Sequence, residues 1–316
     1  MKQSTTALTL VLVAQIFVLA VVYWPASTTD TSGNRAALLP AEINQADQWQ
    51  IVDNEQNSVV LKRSGESWVL PELGGLPADS SKVNTAFDKL TGASAGWPIA
   101  SSEPAQERFE VAEDQFQRKL VASNQGETIA TLLLGTSPGF RNVHARNVEQ
   151  QAIYSIAFNT FDIPSNVNDW LDGSLLQLSS PTKIGGLGYN LVHDDENWNS
   201  ADQQPVDSEG LQPLLDALAY LQVNGIASEE VSDQLKEEAA DIELSLTDEQ
   251  GDLSLSLYKL DDEHYARSSR YSQLFTVSAY DFDRFADIET EQIFVGEDIQ
   301  ADASAESAAA TAAESN

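Results

Sequence analysis

The chain has 316 residues, with 17 Lys plus Arg against 49 Asp plus Glu and a formal net charge of −32. With 42% hydrophobic residues it is long and apolar enough for one large domain or two ordinary ones, while a polyanion of this size repels phosphate backbones and excludes nucleic acid as a partner. The absence of cysteine excludes a disulfide framework, a thiolate metal site and a cysteine nucleophile.

In chain order, the first predicted element is a membrane anchor. Residues 7–24 carry no formal charge, and at about 1.5 Å per helical residue they span roughly 27 Å, enough to cross a bilayer. A cleavable signal peptide is the competing reading, but its apolar region is shorter and ends in a small-x-small site, whereas here Tyr23, Trp24 and Pro25 follow. With Lys2 before the span and Asp30 as the first charge after it, the positive-inside bias puts residues 1–6 in the cytoplasm and the bulk of the chain in the periplasm of a bacterial inner membrane. Tyr23 and Trp24 fit the outer interfacial belt. Residues 25–48, rich in Pro, Ser and Thr, read as a linker, and 297–316 as an acidic Ala/Ser/Glu tail too polar to offset its ordering entropy.

Between them the pattern predicts an α+β fold of two tandem related units, 49–180 and 181–296, each an antiparallel sheet covered by helices. Hairpins are expected at 58–70, 118–135 and 242–260, where β-branched and apolar alternation brackets Gly-containing turns. Helices are expected after Asp79-Ser80, with Val83, Phe87 and Leu90 on one face, and after Asp207-Ser208, with Leu211, Leu214, Leu215 and Leu218. A carboxylate in that position accepts unpaired first-turn amide hydrogens. Short helices are expected in 161–171 and 280–288.

The duplication rests on paired positions: Trp68 with Trp198, Asp79 with Asp207, Arg146 with Arg267 and Tyr154 with Phe275. The pairs recur at an offset of about 120–130 residues, a drift that loop-length variation produces. "HARNVEQQAIYSI" (144–156) and "YARSSRYSQLFTV" (265–277) show it most clearly. The arginines are expected to pair with acidic cross-strand neighbours or helix carboxylates, and Tyr154 and Phe275 to pack in the core.

Little in the sequence points to chemistry. His144, His193 and His264 lack the short spacings of a zinc site and read as solvated loop residues. The Asp194-Asp195-Glu196 and Asp261-Asp262-Glu263 runs lack a calcium-loop ladder and read as surface charge. "KIGGLGY" (183–189) matches neither phosphate-binding glycine pattern and reads as a flexible join between units, and no GxSxG elbow occurs. No cofactor, metal site or catalytic residue is therefore expected.

The order of "LPAD" (76–79), "LLLG" (132–135), "HAR" (144–146), "IYSI" (153–156) and "WLDGSLL" (170–176) behind Trp68 resembles the bacterial family described as domain of unknown function 4340. The likeness covers 49–180 well and the second unit loosely; Tyr265 replaces His144 there, and only "TEQIF" (290–294) answers to "WLDGSLL". It implies a membrane-anchored accessory protein of transporters of the ATP-binding cassette class, similar to gliding-motility systems, with membrane subunits as partners, and it carries over no catalytic residues. The expected function is a non-catalytic scaffold subunit outside the cytoplasm, the alternative a periplasmic binding or sensor module for a solute or envelope glycan.

Overall fold

The computed structural model describes residues 38–294 apart from 140, 187, 195, 196 and 203. The expected span 7–24, with Tyr23 and Trp24, and the tail 297–316 lie outside these residues. Among the described residues no helix is long and apolar enough to cross a membrane.

The fold is mixed, with antiparallel sheets and few helices. In the first half, β1 (Gln48–Asp53), β2 (Ser58–Ser64), β3 (Ser67–Leu70) and β4 (Leu76–Pro77) precede helix α1 (Ser80–Thr91). The short helix α2 (Glu103–Arg108) and a small hairpin, β5 (Val111–Ala112) and β6 (Gln115–Phe116), follow. The half ends with β7 (Arg118–Asn124), β8 (Glu127–Leu134), β9 (Val143–Asn147) and β10 (Tyr154–Ile156). The second half runs β11 (Lys183–Gly186), β12 (Tyr189–Asp194), β13 (Asn197–Ser200), α3 (Ser208–Ala219), β14 (Val223–Ile226) and α4 (Glu229–Gln234). It closes with β15 (Ile242–Asp248), β16 (Gly251–Leu260), β17 (Glu263–Ser268), β18 (Leu274–Val277), α5 (Ala279–Ala286) and α6 (Thr290–Ile293).

The first sheet has the order β10-β9-β8-β7-β1-β2-β3-β4 and the second β13-β12-β11-β15-β16-β17-β18-β14. Leaving out the edge strands β4 and β14, both have one topology: a three-stranded meander, a helix, and a four-stranded meander whose first strand pairs antiparallel with the first strand of the other. The register agrees too, Ala145 facing Tyr154 across β9–β10 as Ala266 faces Phe275 across β17–β18.

Alternation explains the faces. Leu244 and Leu246 on β15, with Leu255 and Leu257 on β16, point into the main core, and α3 lays Leu211, Leu214, Ala217 and Leu218 over it. In the first half α1 does the same with Val83, Ala86, Phe87 and Leu90. One continuous apolar cluster runs through both halves, from Leu38 to Ile293, and each fully buried Leu or Phe in it contributes about 2–3 kcal/mol. Backbone bonds cross between the halves: Leu178 N–H donates to Leu218 and Val223 N–H to Gly173.

Two expectations need correction. The linker was expected to run to residue 48, yet Leu38, Leu39, Ile43 and Ala46 are buried around a 3₁₀ turn at Ala41–Gln45, because they cover the end of the first core. "KIGG" is no flexible join but β11, in the middle of the second sheet. Glycine is required there by crowding: Gly186 has φ +138, and a Cβ on it would sit 2.5 Å from the Glu243 carbonyl oxygen. The short helices expected in 161–171 are present as two 3₁₀ turns, Thr160–Asp162 and Val167–Trp170, and that in 280–288 as α5.

Candidate functional site

The paired residues occupy matching places in the two halves, and nearly all are tied into the framework. Asp79 caps α1 by accepting from Lys82 N–H at 2.9 Å, and Asp207 caps α3 by accepting from Glu209 N–H at 3.1 Å. The aspartates' own amides donate to equivalent carbonyls, Asp79 to Trp170 and Asp207 to Ile293, both at 2.8 Å. Isolated bridges Ala78–Leu171 and Val206–Phe294 flank these bonds. "TEQIF" thus stands where "WLDGSLL" begins. Its closeness to α3 leaves no room for a side chain at Gly210, whose Cβ would meet the Gln292 carbonyl oxygen at 1.7 Å. In the first half the matching residue is Lys82, whose Nζ donates to the Asp169 carbonyl.

Arg146 and Arg267 are each tied to backbone carbonyls within their own half. Arg146 is buried; its Nε donates to the Val111 carbonyl at 2.7 Å and its Nη1 to Gln150 at 3.2 Å. Burial lowers its pKa, partly offset by Glu113. Arg267 donates to the carbonyls of Leu235, at 3.3 Å, and Ser232, and its guanidinium lies 5.4 Å from the Tyr258 ring centroid. The expected acidic cross-strand partners are replaced by backbone oxygens. The reason is topological: β9 and β17 turn this face toward small secondary cores, one of Ala105, Val111, Phe116, Leu133 and Ile153, the other of Leu235, Tyr258, Tyr265 and Leu274. Arg146 binds the Val111 carbonyl of the hairpin after α2 and the Gln150 carbonyl of the β9–β10 loop, and Arg267 binds carbonyls at the end of α4. Tyr154 and Phe275 are buried on the opposite face.

The histidines divide. His193 is exposed, but His144 and His264 are buried, against the expectation of solvated loops. His144 lies 2.9 Å from Thr136 Oγ1 and its ring packs 4.3 Å from that of Phe109; burial, reinforced by the Arg108 charge, holds it below its ordinary pKa. His264 packs 4.8 Å from Phe282 of α5. This burial is not legible from local sequence, because Thr136, Phe109 and Phe282 belong to other elements. Among the described residues no group of three or more His, Asp or Glu gathers as metal ligands would.

What remains for function is the surface. Trp97 and Phe161 are 87% and 85% exposed. A hollow of about 420 Å³ opens in the second half between Trp198, His193, Leu215, Asp216, Tyr220 and Glu249. Trp198 is half-buried there, whereas its counterpart Trp68 is buried and donates from Nε1 to Asn84 at 3.2 Å.

No curated protein and no solved structure matches the chain. A family model does, over residues 68–241, from Trp68 on β3 through α4 to the threshold of β15. The match reaches well past residue 180, so the family pattern takes in the helix and first meander of the second half as well. Covering more than half of the sequence, it shows that the chain belongs to the family described as domain of unknown function (DUF4340).

Proposed function

We propose that the chain is a non-catalytic accessory subunit, tethered through residues 7–24 to a bacterial inner membrane with its body in the periplasm, that docks on membrane subunits of an ATP-binding-cassette transporter complex. In this reading the two halves are copies of one α+β unit fused into a single body. The carrying observation is the division of labour among side chains: the duplicated Asp79, Asp207, Arg146 and Arg267 are engaged in holding helices and flanking segments, while large aromatics stand exposed at Trp97 and Phe161. Tryptophan, with tyrosine and arginine, is enriched among the residues that dominate binding energy at protein interfaces. The transporter itself enters through the likeness stated for the family.

A photo-crosslinking residue at position 97 of the full-length chain, expressed at native level in its own membrane, tests this. The expected product is an adduct with a multi-span membrane protein, diminished by Phe161→Ala. Adducts confined to soluble proteins, or none above those at an exposed control position such as Glu127, would refute the docking reading.

The alternative, a solute-binding or sensor module, draws support from the hollow beside Trp198.

A further inference from the structure

The hollow beside Trp198 marks where the two halves part company, and the comparison shows how it arises. Trp68 faces Arg63 across β2–β3, and Trp198 faces His193 across β12–β13. In the first half the space next to this tryptophan is packed with rings. Phe87 of α1 stacks 4.1 Å from Trp49, lies 6.3 Å from Trp170 on its other side, and is 6.3 Å from Trp68. The Arg63 guanidinium covers the Trp68 face at 4.9 Å. The equivalent positions in the second half carry Ile184 for Trp49, by register against Leu191 and Leu61, Leu215 for Phe87, by distance from the capping aspartate, and Ile293 for Trp170. Three large rings become aliphatic side chains; Ile184 and Ile293 stay buried in the core, and Leu215, on the flank of α3, lines the hollow beside the tryptophan.

The space left is about 420 Å³, within the range of small-ligand sites. Its composition selects a charge type. The walls hold the indole of Trp198, with the His193 ring at 5.0 Å, and the phenol of Tyr220, itself 63% exposed. Asp216, whose Oδ1 accepts from Gln212 Nε2 at 2.7 Å, and Glu249 add two acidic side chains, and no Lys or Arg lines it. Aromatic faces attract cations through their quadrupole, and two carboxylates disfavour any anion. We infer that this pocket binds an organic cation, an alkylammonium or guanidinium group, held against Trp198 and Tyr220 and neutralised by Asp216 and Glu249. The cation arrives either as a free solute or on a basic side chain of a partner protein. The site shares no residue with Trp97 or Phe161, so it stands or falls independently of the docking reading.

The test uses the full-length chain in detergent micelles, ¹⁵N-labelled at tryptophan, with the Trp198 indole signal identified by its loss in Trp198→Phe. Choline, N-acetyl-lysine methylamide, a neutral-flanked lysine peptide and, as control, acetate are titrated in turn. The expected result is a saturable shift of the Trp198 signal with the cations alone, the Trp68 signal staying still, and a response weakened about tenfold or more in Asp216→Asn/Glu249→Gln. A lysine peptide binding about tenfold more tightly than the lysine amide assigns the cation to a partner chain; equal affinities assign it to a free solute. Leu215→Phe, which restores the ring found in the first half, should abolish the shift while leaving the melting temperature unchanged or higher. The inference fails if no saturable shift develops by about 50 mM cation, if acetate acts equally, or if folded Leu215→Phe binds as the parent does.

Discussion

At the scale of the residue, polar side chains in this protein mostly complete the backbone. Arg146 and Arg267 each bind more than one backbone carbonyl outside their own strands, which is why a guanidinium, with its fork of donors, suits both places. The strongest carboxylate–guanidinium contact lies elsewhere: Arg270 binds Asp248 through both terminal nitrogens, Nη1 to Oδ2 at 2.9 Å, joining the β15–β16 turn to the segment after β17. These hydrogen bonds, against the opposing effect of burial, hold the Asp248 pKa below its ordinary value. A carboxyl depressed on folding stabilises above its unfolded pKa, and that contribution disappears as pH falls through the folded value. Asp248→Asn should therefore lower stability near neutrality by about 1–3 kcal/mol, and the gap to the parent should shrink below about pH 4. Thermal melts followed by circular dichroism between these pH values check it; a gap that stays constant would contradict the linkage.

At the scale of the element, α3 approaches α6 so closely at Gly210 that no side chain fits between them. Gly210→Ala would drive a methyl group into the Gln292 carbonyl, so the variant should lose about 1–3 kcal/mol or more through forced separation of the two segments. Urea denaturation, with Lys82→Ala as the milder counterpart in the first half, measures the difference, and equal midpoints would show that the contact yields freely. The elements themselves were legible to different degrees. The hairpins at 58–70, 118–135 and 242–260 announce themselves because alternation and a turn signal coincide, and Asp79 and Asp207 mark helix starts because capping is local chemistry. β11 was hidden because Gly185 and Gly186 mimic a linker; only the neighbouring Glu243 and Asn190 reveal that the glycines answer to crowding. The burial of His144 and His264 depends on rings supplied by distant segments. The hollow at Trp198 was within reach of a position-by-position comparison of the halves, since Leu215 for Phe87 is readable, but its shape needs the fold.

At the scale of the whole molecule, the halves are coupled. Gln273 donates to the Leu73 carbonyl at 3.2 Å, Ile226 N–H donates to Asn168 Oδ1 at 3.2 Å, and one apolar cluster takes in both sheets. Shared core of this kind makes separate unfolding of either half expensive in exposed apolar surface. Calorimetry of the full-length protein should give one transition with matching calorimetric and van't Hoff enthalpies. Two resolved transitions would mean that the halves are independent bodies.

The middle of each sheet is a seam between strands far apart in the chain, β1 with β7 and β11 with β15. Neither sheet is complete until its seam zips, and each zipping must wait for a long intervening stretch, helix included, to fold back on itself. Pairings so remote in sequence slow the search for the native state. Two seams of the same design in one polypeptide also offer each other wrong partners. A newly made chain therefore gains from finishing its first sheet before the second emerges, and synthesis from the amino end supplies that order.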